Sequence, residues 1–347
     1  MRKELRPFLA LALPFVPQAA VAWDYEGHRA VNQIALAALP PDFPSFVRDP
    51  AVAERIAFLS GEPDRWRNSA ENALHNCNKP EHYIDAEDPA DAGLPLATLT
   101  PFRYVFIARY DKARRADPAR FPPVAPEKNR DGVRDLCGLL PWAIIENYGR
   151  IEAVFSRLKT LARDRAPDEE LAAARAAAAY LMGVMGHYVG DATQPLHTTK
   201  HHNGWSGPNP NRYTTSRKIH AWIDGGVFAR ASFDTGKLRA AARPPEKLPP
   251  PVASAPGGTP PLHSAILSWI GEQNRRVEPL YRLVRSNDLA IDATPTKRGE
   301  DFIGEQLLRG GRMLASLWLA AWQNAAPPPP PPHPPRPPPG PAPPPPP

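Results

Sequence analysis

The sequence predicts an all-α protein with one mainly helical domain over residues 23–323. Apolar residues between Leu140 and Leu158 recur every three or four positions, which is the period of a helix with one buried face. No segment alternates polar and apolar residues between turn signals, as strands and hairpins do. No glycine-rich phosphate loop follows a strand. With 347 residues, 42% of them hydrophobic, the chain is long enough for one large core.

The first 22 residues have the organisation of a signal peptide. Three basic residues lie within the first six positions, and an apolar run follows from Phe8 to Val16. Small residues at 20–22 offer a cleavage site before Trp23. The apolar run is too short to span a bilayer. We therefore expect a secreted or periplasmic protein whose mature chain begins at Trp23.

The main helices are predicted in the second half of the chain. The helix that begins near Leu140 covers about twenty residues by its period. Pro167 and three carboxylates at 168–170 open another helix, because proline fits a first turn and acidic groups suit its positive end. This helix continues to about residue 191. The same apolar period returns at 264–285 and 301–323.

Two proline-rich segments stand apart from the helices. Residues 244–262, which include a Gly-Gly pair, predict an irregular insertion or surface loop. Residues 324–347 are mostly proline and predict a disordered tail. No linker divides residues 23–323 into two domains.

Charge and cysteine content restrict the function only loosely. The formal net charge is +6, of which residues 1–22 contribute +2, so the mature chain is mildly basic and a polyanionic partner is weakly favoured. Cys77 and Cys137 predict one disulfide in an oxidising compartment, and two free buried thiols are the alternative. Two cysteines cannot form a zinc finger.

Histidine and aspartate recur at a spacing that favours metal binding. In "HYVGDATQPLH" at 187–197, His187 and Asp191 are four residues apart and share one helix face, and His197 follows shortly after the helix ends. "HAWID" gives His220 and Asp224 the same spacing. Imidazole and carboxylate suit zinc, and a bridging carboxylate can hold two ions close together. The alternative for a single pair is an ordinary contact on a helix surface.

Five motifs between residues 23 and 323 extend this pattern along the chain. They are "WDYEGH" at 23–28, "PDRWR" at 63–67, "EHYIDAED" at 81–88, "HYVGDATQPLH" at 187–197 and "KIHAWID" at 218–224. In these motifs and their order, the sequence resembles the secreted zinc-dependent single-strand-specific nucleases and 3′-nucleotidases. The all-helical fold of that family is shared with bacterial zinc phospholipase C.

The resemblance implies three zinc ions per chain. The implied ligands are Trp23, His28 and Asp191 for the first ion; Asp64, His82, His187 and the shared Asp191 for the second; and His197, His220 and Asp224 for the third. Trp23 would chelate through its free amino group and main-chain carbonyl, which requires removal of the signal peptide. Aspartate at 224 resembles the nucleases, whereas the phospholipases have glutamate there.

The resemblance also implies a reaction, in which single-stranded DNA or RNA is hydrolysed to 5′-phosphorylated products and 3′-phosphates are removed from nucleotides. A hydroxide bridging two zinc ions would attack the phosphorus, and the third ion would stabilise the leaving oxygen. Asp64 and Asp191 would hold the ions, and Arg67 would offset developing charge. Arg65 is the other candidate for that role, and a solvated helix charge is the alternative for Arg67.

Tyr83 and Asp85 match the nucleotide pocket of the family, where a ring stacks on a base and a carboxylate binds the base edge. Stacking requires an unpaired base, which would explain a preference for single strands. Core packing is the alternative for Tyr83, and orienting a histidine is the alternative for Asp85. Three further histidines match no ligand position and are assigned no role: His75, His201 and His202.

The chain departs from the family pattern beside two ligands. Glu62-Pro63 stands where the family often has Trp-Ala, and Lys218-Ile219 stands where many members have Asn-Leu. These departures leave the natural substrate open. The alternatives to a nuclease are a phospholipase C-like hydrolase and a non-catalytic binding protein that metal stabilises. We expect nucleic acid and nucleotides as partners, no stable protein partner and no membrane span.

Overall fold

The computed structural model describes residues 23–231, 233–252 and 259–326. Over these ranges the chain is mainly helical and contains no strand, and only an isolated antiparallel bridge joins Ile84 to Gly138. The predicted all-α class is confirmed. The predicted signal peptide and residues 327–347 of the predicted tail lie outside the described residues.

Fourteen α-helices lie within the described ranges. In chain order they are α1 (Tyr25–Ala38), α2 (Pro50–Leu59), α3 (Glu62–Arg67), α4 (Asn72–Asn78), α5 (Glu87–Asp91), α6 (Arg103–Ala116), α7 (Leu140–Arg163), α8 (Asp168–Thr193), α9 (Ile219–Ala221), α10 (Val227–Arg230), α11 (Thr235–Ala240), α12 (Pro261–Asn274), α13 (Val277–Arg285) and α14 (Lys297–Asn324). A π-helical turn, Trp222–Gly226, joins α9 to α10. The 3₁₀ turns are Ser45–Arg48, Lys79–His82, Leu96–Thr98, Pro126–Lys128, Val133–Asp135 and Pro195–Thr198.

The predicted long helices are found, with one correction. Helices α7 and α8 begin where the sequence indicates, although Pro167 caps α8 instead of forming its first turn. The apolar period at 264–285 is divided between two helices, because α12 ends at Asn274 and α13 begins at Val277. Asn274 ends α12 and donates a hydrogen bond to the Thr198 carbonyl, 2.8 Å away, which ties this end to the loop after α8.

The proline-rich insertion is irregular in its described part, residues 244–252 and 259–260. Its last two residues, however, belong to α12, because Pro261 occupies the first turn of that helix. The Leu262 amide donates to the Pro250 carbonyl at 3.1 Å, so the insertion closes back on its own start.

Helix α8 lies at the centre of the fold. It packs against α7, α14, α2 and α1, and one large apolar core surrounds it. Trp142 of α7 and Trp318 of α14 are fully buried in this core. Burying each large apolar side chain contributes about 2–3 kcal/mol, so the centre of α8 is held from several sides. None of the helices in the described ranges has both the length and the apolar character needed to cross a bilayer.

Glycines let α1 approach α8 closely. A Cβ at Gly186 would lie 1.5 Å from Asn32 Oδ1, and a Cβ at Gly190 would lie 2.7 Å from His28 Nδ1. Asn32 uses the space to donate from Nδ2 to the carbonyls of Ile56 (2.8 Å) and Gly183 (3.1 Å). This contact fixes the depth at which α1 meets α8, and with it the position of His28.

Candidate metal centre

Eight histidine and aspartate side chains converge at the C-terminal half of α8 and form three groups that can hold metal ions. Within each group the candidate ligand atoms lie within 4.8 Å of one another. The groups are His28, His187 and Asp191; Asp64, His82 and His187; and His197, His220 and Asp224. We call the first two, which share His187, the α8 pair, and the last the third set.

Asp191 is the centre of the α8 pair. Its carboxylate lies 3.5 Å from His28 Nε2, 3.1 Å from His82 Nδ1 and 3.2 Å from His187 Nε2. It also lies 3.4 Å from His197 Nδ1, which belongs to the third set. One buried carboxylate therefore contacts histidines from all three groups, and its role as a bridging ligand stays a prediction.

Asp64 and His82 complete the second group from outside α8. Asp64 lies on α3, and its Oδ1 is 3.8 Å from both His82 Nδ1 and His187 Nε2. The Arg67 guanidinium, one turn further along α3, pairs with the same oxygen at 2.9 Å. A guanidinium cation is therefore fixed beside the single carboxylate of this group.

The third set is built on two short turns and the three-residue helix α9, which carries His220. His197 lies in the 3₁₀ turn Pro195–Thr198, and Asp224 lies in the π-helical turn. His220 Nε2 is 3.2 Å from Asp224 Oδ2 and 3.0 Å from His197 Nε2. The wider π-helical turn thus preserves the contact that the four-residue spacing predicted.

Hydrogen bonds to the main chain orient the imidazoles. His187 Nδ1 donates to the Ser60 carbonyl at 2.7 Å, which directs Nε2 toward Asp191 and Asp64. His197 Nδ1 contacts the His82 carbonyl at 2.7 Å, leaving its Nε2 to face His220. Such bonds fix both the tautomer and the direction of a ligating ring. These rings are therefore held ready to ligate.

The electrostatics of the cluster fit a cationic occupant. Burial raises the pKa of Asp191 to about 7 and that of Asp64 to about 6, and it lowers the pKa of His187 to about 4. Buried carboxylate oxygens without a hydrogen-bond partner include Asp191 Oδ1 and Asp224 Oδ2. A divalent cation would offset the cost of burying these carboxylates and would use their lone pairs. The donor set of imidazole and carboxylate suits zinc.

Trp23 lies against the same cluster. Its side chain is buried, and its Nε1 donates to the Gly190 carbonyl at 2.8 Å. Burial raises the pKa of Asp224, and a hydrogen bond from the Trp23 backbone opposes this rise. The Asp24 amide also donates to the Asp224 carbonyl at 2.9 Å. The main chain of Trp23 is thus beside the third set, while chelation by its amino group stays a prediction.

An open pocket of about 630 Å³ lies above the centre. Its wall includes Arg67, Tyr83, Asp85 and the three imidazoles of His82, His197 and His220. Gly138 shapes this wall, because its φ of +98° and a Cβ position only 2.0 Å from the Tyr83 carbonyl exclude other residues. The pocket gives a ligand access to the buried cluster.

The structure separates the two arginine candidates. Arg67 lines the pocket and pairs with Asp64. Arg65 instead pairs with Glu62 and lies 4.6 Å from the centre of the Phe58 ring. Only Arg67 is therefore placed to meet a ligand at the centre.

His202, to which the sequence assigned no role, lies beside Asp85. Their Nδ1 and Oδ1 atoms are 3.5 Å apart, and His202 lines the pocket. Burial would lower the pKa of His202, but the hydrogen bond and charge of Asp85 outweigh it, and the pKa is raised. His75 also lines the pocket. The adjacent "HH" at 201–202 was the only signal in the sequence.

The predicted disulfide is not found, since both cysteines are free. Cys77 is exposed at the end of α4, where its thiol donates to the Leu74 carbonyl at 3.4 Å. Cys137 is buried, and its main-chain carbonyl accepts a hydrogen bond from the Asp85 amide at 2.7 Å. The two residues thus lie in different environments, Cys77 at the surface and Cys137 in the core.

Comparison with known proteins adds no assignment. No protein-family model matches the chain, and no curated protein matches it. Membership in the zinc nuclease family therefore stays a prediction from the five motifs.

Proposed function

We propose that this protein is a zinc-dependent phosphodiesterase that hydrolyses single-stranded DNA or RNA to 5′-phosphorylated products and removes 3′-phosphates from nucleotides. One observation carries the proposal: three adjoining histidine and aspartate groups lie at the base of an open pocket that also presents an arginine, a tyrosine and an aspartate. A structural zinc site is closed by its ligands, whereas a catalytic site keeps access for water and substrate.

The chain's own residues have distinct parts in this proposal. The predicted ligands would hold up to three zinc ions, with Trp23 completing the set through its amino group in the trimmed chain. Bound zinc would supply Lewis acidity toward phosphate oxygens and acidify water at neutral pH. Arg67, fixed by Asp64, faces the pocket and would donate hydrogen bonds to a phosphoryl oxygen as its charge grows.

The upper wall of the pocket supports a preference for unpaired bases. Tyr83 offers a ring, and Asp85 offers a carboxylate that can accept hydrogen bonds from a base. A base must leave its partner strand to stack in such a pocket, so duplexes are disfavoured. His202 Nδ1 lies 3.5 Å from Asp85 Oδ1 and helps to orient this carboxylate at the pocket wall, which supports its use as an acceptor.

Phosphocholine ester hydrolysis is the second enzymatic candidate, because the same metal groups suit any phosphodiester. A non-catalytic protein stabilised by its metals is the third. The test offers the secreted protein, with zinc, three substrates: a single-stranded oligonucleotide, a 3′-nucleotide and a phosphocholine lipid. We expect hydrolysis of the first two. Hydrolysis of the lipid alone would favour the second candidate, and no turnover of any substrate would favour the third.

We further propose that the protein is secreted or periplasmic and is trimmed before Trp23. The position of Trp23 beside Asp224 supports this, since a free amino group there would join the ligands. N-terminal sequencing of the purified protein tests the cleavage point. Elemental analysis should give about three zinc ions per chain, and a trace amount would contradict the proposed centre.

A further inference from the structure

A second depression adjoins the pocket above the metal centre. It has a volume of about 720 Å³ and shares His75, Lys79 and Arg134 with that pocket, so the two form one continuous surface. We call the second depression the basic cleft. Its charged lining residues are Lys79, Lys128, Arg130 and Arg134, with Glu127 and Asp131 as the two acids. The cations outnumber the acids, and the lining has a net positive charge.

The basic side chains of the cleft differ from other cations of the protein in their lack of ion pairs within the described ranges. Among the ion pairs of the described residues, none involves the four basic side chains of the cleft. Two half-buried arginines differ, since Arg103 pairs with Glu146 at 2.9 Å and Arg114 pairs with Asp135 at 2.7 Å. Unpaired cations in a concave surface concentrate positive potential and attract polyanions. The cleft therefore has charge available for a ligand.

Other groups hold the walls of the cleft in place. Asn76 Nδ2 donates to the Asp131 carbonyl at 2.7 Å, which joins α4 to the facing loop. The Arg134 amide donates to Asn129 Oδ1 at 2.9 Å, which closes the turn that carries Arg134. The cleft is thus shaped by main-chain and amide hydrogen bonds, and ligand binding need not break any ion pair of its cations.

The cleft is connected to the centre through the chain itself. Lys79 begins the 3₁₀ turn that ends at the predicted ligand His82. Arg134 and Tyr83 both line the pocket above the centre. A strand with one base at Tyr83 and one phosphate at the centre would therefore continue directly over Lys79 and Arg134.

We propose that the basic cleft binds the backbone phosphates of the nucleotides next to the one at the metal centre. The protein would then favour strands of several nucleotides over mononucleotides. This inference rests on the proposed function, because it assigns the substrate length that the same site prefers. Phosphate contacts by lysine and arginine position a strand without reading its sequence, so no base preference is expected from the cleft.

A pair of charge-matched double variants tests the cleft. Lys128→Glu with Arg130→Glu reverses two exposed cations of the cleft. Arg55→Glu with Arg175→Glu reverses two exposed, unpaired arginines on α2 and α8, which line neither depression. The readout is the ratio of KM for a single-stranded dodecanucleotide to KM for a 3′-nucleotide. Relative to wild type, we expect this ratio to rise about tenfold in the cleft variant only. Equal ratios in the two variants would overturn the inference.

A binding measurement separates failure of the cleft from failure of the proposed function. If wild-type protein leaves the dodecanucleotide uncut, fluorescence anisotropy of the same labelled strand gives its Kd. The inference then requires about tenfold weaker binding in the cleft variant than in the control, and a salt dependence lower by about 1.4 in log–log slope for two lost phosphate contacts. Equal Kd values would overturn the cleft alone. A wild-type protein that neither cuts nor binds the strand would overturn both proposals.

Discussion

The α8 pair and the third set contain the same residue types but are built differently. His187 and Asp191 of the pair are fully buried on a helix of 26 residues, and His28 meets them from a second helix. The third set lies on a 3₁₀ turn, the three-residue helix α9 and a π-helical turn, and its His220 side chain is 20% exposed. We therefore expect the pair to be a rigid, shared site, whereas the third set is shallower at His220.

This difference predicts that the two regions bind zinc differently. Sharing His187 couples the two groups of the pair, so losing one ligand should affect both ions. The third set has three residues of its own and only one contact with Asp191, through His197. We expect tight and cooperative binding in the pair, and separate, more readily exchanged binding in the third set.

Asp191→Asn should have the largest effect, because the amide keeps the shape but removes the charge that contacts all three groups. We expect about two of the three zinc ions to be lost and nuclease activity to fall about a thousandfold, or about 4 kcal/mol. Elemental analysis and turnover of a single-stranded oligonucleotide measure this. Asp88→Asn, at a half-buried aspartate outside the three groups, is the control and should keep its zinc. Loss of a single ion from Asp191→Asn would contradict the proposed coupling within the α8 pair.

Removing the metals should also lower the free energy of unfolding. Each site contributes about 4 kcal/mol when free zinc is a thousandfold above Kd, and three sites together contribute about 12 kcal/mol, so a chelator should lower Tm by roughly 20 °C. The buried carboxylates of the centre would then lack their counter-charge. Differential scanning calorimetry with and without chelator measures the shift. In Asp191→Asn the chelator should change Tm much less, and an unchanged shift would place the stabilising metal outside the α8 pair.

Asp224→Asn makes the corresponding change in the third set. We expect loss of about one zinc ion and about a hundredfold lower activity, since the α8 pair remains intact. Metal content and turnover are measured as for Asp191→Asn. Loss of all three ions from this variant would show that zinc binding in the third set is coupled to the pair, contrary to the separate binding proposed above.

The distinction between local and long-range contacts explains how much of the site could be predicted from the sequence. The contacts of His187 with Asp191 and of His220 with Asp224 follow from a four-residue spacing, which depends on local backbone alone. The meeting of His28 with Asp191 depends on how closely α1 packs against α8, and only the motif resemblance indicated it. The break between α12 and α13, the free cysteines and the position of His202 arise from long-range contacts, and no local pattern in the sequence encodes them.

Gly190→Ala should give the smallest effect and tests the rigidity of the α8 pair. The added methyl group would lie 2.7 Å from His28 Nδ1, so the imidazole must move away from Asp191. We expect about tenfold weaker zinc binding in the first group, the range seen when a ligand's support is disturbed. Gly149→Ala on α7 is the matched control, because its methyl group would have no neighbour within 4 Å. The control should gain about 0.5–1 kcal/mol of stability from reduced backbone entropy and should bind zinc as wild type does. Equal zinc affinity in both variants, measured by competition with a chromophoric chelator, would mean that His28 is free to adjust and that the α8 pair is not rigid.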